Sequence, residues 1–427
     1  MCLALASTSA ISPAQVPSPT QAIQAEGSPS DWIDRDTGHH VFRLTKEPDS
    51  KGLFFNDDAF TPDGKEMIYM VHDSVYVVDM NRYHVARQLI SGSVRKIAMG
   101  KKWPVVYFMQ AHDPILYSTN VYTGKTVPLM ALPADATIMT VNADETLIAG
   151  TYTEAPSGTT KQQRDMAKAR PPASPSEPPP AEPFQHVLFT LDLVTNVITP
   201  VFRSPLELSH VSFSPKDPTL LMYGYEGQPP TADRFWTMHT DGTMNKPVHR
   251  RTTNEDAASN PFWDTDGKTI WYDLQIPVGE SFYLASDNLE TGLRRWYPIE
   301  RDFWSLHYNA AVDDSAFCGD GSDETQGPKS PNGRWIELFF PRKPSTSKNV
   351  SQNDPPATLD QTGFIQSGTF ISHHLVNLSK ADYTVAPNAR FSPDHRFVIF
   401  TSNMFGPSYL FEVEVRHAPE PTKTMKP

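Results

Sequence analysis

A short pattern of turns and apolar strands recurs along this chain, and no other property of the sequence restricts the fold as tightly. The clearest copy is the last, residues 388–415, NARFSPDHRFVIFTSNMFGPSYLFEVEV. It runs through an apolar entry, a Ser-Pro-Asp turn, an apolar stretch from Phe397 to Thr401, a Gly-Pro turn and an alternating stretch from Tyr409 to Val415. Pro and Asp preset turn dihedrals that branched and aromatic residues avoid, so turn residues between period-2 apolar runs signal antiparallel strands. One such unit cannot cover both faces of its own small sheet and needs neighbours of the same kind.

Copies start at Ala59 (AFTPDGKEMIYMVHDSVYVVDM), Ala98, Val141 (VNADETLIAGTY), Val211, Pro261, Asn309 and Ala389, which makes seven. They are roughly 40 to 50 residues apart where no insert intervenes, the period of four-stranded blades. The expected fold is therefore all-β, a seven-bladed β-propeller of WD40/TolB-like repeats over residues 31–416. Residues 32–45 (WIDRDTGHHVFRLT) read as a strand pair about an Asp-Thr-Gly turn, placed to complete the last blade and close the ring. A β-sandwich or two β domains is the rival arrangement, and the regular spacing of near-copies favours the ring.

Two stretches break the pattern, 155–183, dense in Pro, Ala, Ser and Lys, and 344–356, dense in Pro, Ser and Asn. Neither has the apolar surface to order itself, so both are read as loops on a rim of the ring. Residues 1–30 combine an apolar, small-residue stretch with Pro-rich sequence and lack a basic start. They read as an export signal, which implies a periplasmic or secreted protein, or as a disordered tail on a cytoplasmic one. Residues 417–427 read as a second tail.

A formal net charge of -12 argues against nucleic acid or an anionic membrane as a partner held by bulk charge. The only cysteines, Cys2 and Cys318, allow neither a disulfide framework nor a cysteine zinc site. No apolar run is long enough to span a membrane. There is no G-x-S-x-G elbow, no P-loop and no H-E-x-x-H helix, which removes the corresponding hydrolase, nucleotide and zinc chemistries. Polar residues at blade edges remain, where loops of several blades converge on the mouth of the ring.

Several stretches carry a resemblance to the oligogalacturonate lyase family: WIDRDTGHHVFRLT, HVSFSPKDPTLLMYGYEG from His210, the Arg-Phe-Trp at Arg234, FWDTDGKTIWYDL from Phe262, SLHYN with GDGS, and ARFSPD with TSNMFGP. The likeness runs from Trp32 to Val415. It implies pectin or related uronate catabolism, with β-elimination on short acidic oligosaccharides (oligogalacturonides) as the reaction. That reaction needs the uronate carboxylate neutralised, a base for the C5 proton, and help for the C4 leaving oxygen. In the family, histidines and a glutamine of late blades hold a manganese-like divalent metal, and a histidine is the base.

Carried over residue by residue, the resemblance places a metal-ligand histidine at His307, the ligand glutamine at Tyr383 and two further ligand histidines at Ala386 and Asn388. Of these three substitutes only Asn388 offers an amide oxygen, a poor replacement for imidazole, so manganese binding is expected to be weak or lost. The base position falls on Asn260, whose amide cannot take a proton. Arg234 falls on the arginine that neutralises substrate, His210 on a pocket histidine, and Tyr225 replaces the histidine of a H-E-G run. The candidates are thus Arg234 with His210 or His307 for catalysis, and Tyr225, Arg234 and Trp263 for substrate binding. Non-catalytic acidic-sugar binding and a protein-interaction propeller are the alternatives.

Each candidate also has a plainer reading. His307 in a strand pattern suits a hydrogen-bonded structural residue, and Arg234 before an aromatic pair can stack or pair with a carboxylate. Tyr225, Trp236, Trp263 and Trp304 suit a sugar platform, but propellers bury aromatics between blades, so core packing is the default. The doublets His39-His40 and His373-His374 cannot converge on one ion, because adjacent strand residues face opposite ways. Asp320, in GDGS, reads as a turn residue.

Overall fold

The structure, a computed structural model, describes residues 28–81, 85–133, 135–155, 184–226, 233–322, 334–342 and 365–416. The expected rim loops and both terminal segments lie outside these residues, save for Ala155 and residues 28–30. The described strands form seven sheets in chain order around a ring, antiparallel except for one added strand, the expected propeller. The first strands of the blades are Ser50–Lys51, Val94–Met99, Thr137–Val141, Leu208–Phe213, Ala257–Trp263, Tyr308–Ala310 and Arg390–Phe391. Residues of these strands line a central channel.

The repeat is built on one hydrogen bond. At the end of each first strand, the backbone N–H of Thr61, Gly100, Asn142, Ser214, Asp264, Ala311 or Ser392 donates to the carbonyl of Glu66, Val105, Leu147, Leu220, Thr269, Ala316 or Phe397, at 2.7 to 3.0 Å. The Ser-Pro-Asp signature explains why this turn closes so reliably. The Ser392 hydroxyl donates to Asp394 Oδ1 (2.7 Å) and accepts from the Phe397 N–H (3.1 Å), and Thr61 repeats this with Asp63 and Glu66. The turn also needs a left-handed residue. Gly267 supplies it at φ 72°, and a Cβ there would meet Lys216 at 2.6 Å, so only glycine fits.

Ring closure follows expectation. His40–Arg43 pairs with Tyr409–Glu414 (Val41 opposite Val413), and Asp31–Ile33 adds outside it. Apolar side chains of adjacent blades pack into shared clusters, such as Leu188, Leu208, Val211 and Tyr223 between blades three and four. Trp304 is core, as its default reading held, with its indole N–H on Asp273.

Two departures from the repeat were not legible. In blade one the first strand breaks after Lys51, and residues 52–58 loop over the channel before pairing resumes at Phe60. In blade six the chain visits its neighbour first. Ile365–Ser367 runs parallel to Arg294–Ile299 of blade five, and Thr369–Asn377 then returns as the outer strand of blade six.

Candidate functional site at the channel mouth

Counting four residues back from each turn donor gives one position per blade: Asp57, Lys96, Ile138, His210, Asn260, His307 and Asn388. Four of the seven are residues that the family resemblance singled out, so the candidate site is one repeat position read around the ring. His210, Asn260 and Asn388 all have left-handed backbones, with φ of 48°, 47° and 49°. His210 and Asn260 also lie in β-bulges, between Ser209 and Ser212 and between Ser259 and Phe262. A left-handed conformation costs a non-glycine residue about 1 kcal/mol and is imposed by the surrounding strands.

On the blade-four side the position borders the channel, with its imidazole largely buried. His210 lines a cavity of about 830 Å3 together with Glu226, Trp263, Asp57, Lys96 and others. Its Nε2 is 3.7 Å from Glu226 Oε1, and Arg234 Nη2 is 3.8 Å from Glu226 Oε2. Phe235 supports both groups, taking the His210 ring edge-to-face at 5.6 Å and lying under the guanidinium at 5.3 Å. Burial, and then the Arg234 charge, push the His210 pKa down to about 4 despite Glu226, so the imidazole is unprotonated at neutral pH. Tyr225 donates its backbone N–H to the Arg234 carbonyl and meets Trp236 edge-to-face. Trp263 sends its indole N–H to the Ser212 carbonyl (3.4 Å) and lines the channel.

On the side of blades five to seven the position is closed. His307 is 5% exposed, with Nδ1 2.7 Å from Asp320 Oδ2 and its backbone N–H on Asp320 Oδ1. The Phe55 ring stacks on the imidazole at 4.7 Å, and Phe54 meets its edge. Arg390 fastens this loop by donating to the carbonyls of Leu53, Phe54 and Asp57, and Asn56 ties it to the Pro261 carbonyl. Asn260 donates to the Leu306 carbonyl (2.8 Å). Asn388 gives its backbone N–H to Asp320 and its amide N–H to the Ala386 carbonyl, leaving a buried Oδ1 without a partner. The Tyr383 hydroxyl donates to the Asp320 carbonyl.

No protein-family model matches the chain. Over 237 residues it is 24% identical to the oligogalacturonide lyase of Pectobacterium atrosepticum, a match that covers 53% of this chain and 55% of that protein. A solved oligogalacturonate lyase in complex with manganese matches its fold over 91% of this chain and 96% of the other, at a TM-score of 0.69 and 19% identity. The chain is a divergent relative of the oligogalacturonate lyases. The oligogalacturonate lyase of Vibrio parahaemolyticus matches over the same shares at 0.69 and 17%. In sequence, the chain spans about half the length of the curated lyase it matches.

The manganese of the solved oligogalacturonate lyase prompts a test of the donors in this chain. Around His307 the expected ligand places hold one imidazole under a phenyl ring, one amide oxygen, a hydroxyl engaged with a carbonyl, and the methyl of Ala386. Among the described residues no three His, Cys, Asp or Glu side chains converge as ligands. This set does not fit a manganese ion, which is held by several carboxylate, imidazole or water ligands.

Compared with the oligogalacturonate lyase pattern in the sequence, one residue needs correction. Asp320 is not merely a turn residue: at 1% exposure it joins His307, Asn388 and Tyr383 from two blades. Glu226, Asp57, Lys96 and Arg390 were missed. Glu226 was visible only as a neighbour of the substituted Tyr225. Asp57 and Lys96 share the repeat position of His210, a signal that aligning the blades by their turn donors would have exposed. The histidine doublets diverge as expected, His39 towards the Glu414 carbonyl and His40 towards Asp31. His374 lies between Phe303 and Trp335 against Glu337.

Proposed function

We propose that this protein is a lyase-like enzyme of pectin or related uronate catabolism, acting on short acidic oligosaccharides such as oligogalacturonides. The observation that carries the reading is His210 and Arg234 set on either side of the channel-lining Glu226 in a propeller whose fold matches the oligogalacturonate lyases. In β-elimination the C5 proton passes to His210 Nε2, its electron pair forms the C4=C5 double bond, the C4–O bond breaks, and the departing oxygen takes a proton from water. Arg234 stabilises the charge that builds on the carboxylate, and this matters more than base strength, because an imidazole titrating near 4 is a weak base. The reading takes the N-terminal stretch as an export signal, with the periplasm or exterior as the place of action.

The test is ultraviolet absorbance of the unsaturated uronate after incubation with di- and trigalacturonate. Because the base must be unprotonated, the rate should hold as pH falls through 6 and drop only towards about 4, the His210 midpoint. His210→Gln should lower the rate at least about a hundredfold. No product from any uronate oligomer, with or without manganese, sinks the elimination.

Binding without turnover is the second reading. The amide of Asn260, at the base position of the relatives, is engaged with the Leu306 carbonyl. Stabilisation against heat by the same oligomers, without product, would select it.

A further inference from the structure

The open and closed sides of the ring differ in where positive charge is available. Of the lysines and arginines that line the channel, Lys101 is paired with Asp58, and Arg390 is bound to three backbone carbonyls. The Lys96 side chain is exposed to the channel and makes no hydrogen bond or ion pair with any described residue. It occupies on blade two the repeat position that His210 occupies on blade four. Its acidic neighbour, Asp57, is also under the influence of Arg390 and Lys101, so Lys96 is not neutralised by a dedicated partner. An unpaired ammonium on the wall of a narrow cavity attracts an anion more strongly than one on an open surface, because low-dielectric walls focus its field.

We propose that Lys96 is a carboxylate-binding residue inside the channel, acting with Arg234, which pairs with the channel-lining Glu226, so that the preferred ligand is an oligouronate with more than one carboxylate, bound without a divalent ion. This rests on the acidic-oligosaccharide reading and assigns to blade two the charge that the donors around His307 cannot gather. Neighbouring sugars of such a chain each carry one carboxylate, so a chain held by one of them can offer another to Lys96.

Calorimetric titration tests the proposal, using the wild type and Lys96→Met with digalacturonate, its methyl-esterified form and monomeric galacturonate, in EDTA and in manganese. Thermal melting verifies that Lys96→Met, a change at an exposed and unpartnered side chain, folds as the wild type does. The expected result in EDTA is that the wild type prefers the diacid to its ester and to the monomer. Lys96→Met should lose about tenfold in affinity for the diacid and nothing for the ester. Unchanged diacid affinity in Lys96→Met overturns the proposal, and so does diacid binding that requires manganese. Lys96-dependent binding without unsaturated product would remove the elimination and keep the proposal, and product formed with Lys96-independent binding would do the reverse. A wild type that does not bind the diacid overturns both.

Discussion

His210 and His307 occupy the same position of the repeat, two blades apart, and the protein treats them in opposite ways. His210 faces a channel, its Nε2 3.7 Å from the Glu226 carboxylate, which in turn lies 3.8 Å from the Arg234 guanidinium. His307 is closed in by Asp320 and by the stacked ring of Phe55. The difference does not lie in the histidines. It lies in residues 52–58, which leave the blade-one strand and cover blades five to seven, and in Arg390, which holds them there. One loop thus covers part of the ring of equivalent positions, and the other blades keep their geometry because each blade's turn is closed locally.

The most forceful way to break this contrast is Arg390→Ala. It removes a buried guanidinium and leaves three carbonyls without their donor, so the expected loss in denaturant unfolding is about 3 kcal/mol. A loss well under 1 kcal/mol would mean that the loop holds itself. Asp320→Ala should cost somewhat less, about 2 kcal/mol, since the backbone N–H groups of His307 and Asn388 and one imidazole lose a buried acceptor. It should leave the His210 side unaffected, so a matching drop in oligouronate affinity would show that the two sides are coupled. The smallest effect is expected at Glu226→Gln. Relieving Arg234 of its exposed partner should tighten acidic-oligosaccharide binding by about threefold. It should also lower the His210 titration midpoint further, because Glu226 holds it up, and an imidazole NMR titration would detect this. An upward movement of that midpoint would refute the assigned electrostatics.

Much of the fold was readable because its rules are local. Thr61 and Ser392 close the same turn with the same side-chain bonds, and the sequence displays both as a Pro-Asp signature. The strand pair around Thr37 could be placed on the last blade because a ring of repeats leaves only one seam. The site was readable in part. Arg234 and His210, both singled out in the sequence, lie on either side of Glu226, but Lys96 and Asp57 went unseen, because their place in the ring shows only when the blades are aligned by their turn donors. Asp320 looked like turn chemistry, since its partners His307, Asn388 and Tyr383 converge on it only when blades six and seven are side by side.

The sequence by itself determined the number of blades, because that depends on turn hydrogen bonds and apolar alternation within a few dozen residues, and it displayed the closing strand pair and four of the seven ring residues. Which of those ring residues remain open was decided only in the tertiary structure. The guanidinium of Arg390 and the carbonyl of Asp57 are 333 residues apart in the chain, and the closure of the ring brings them to hydrogen-bond distance. No local pattern records a contact of that kind.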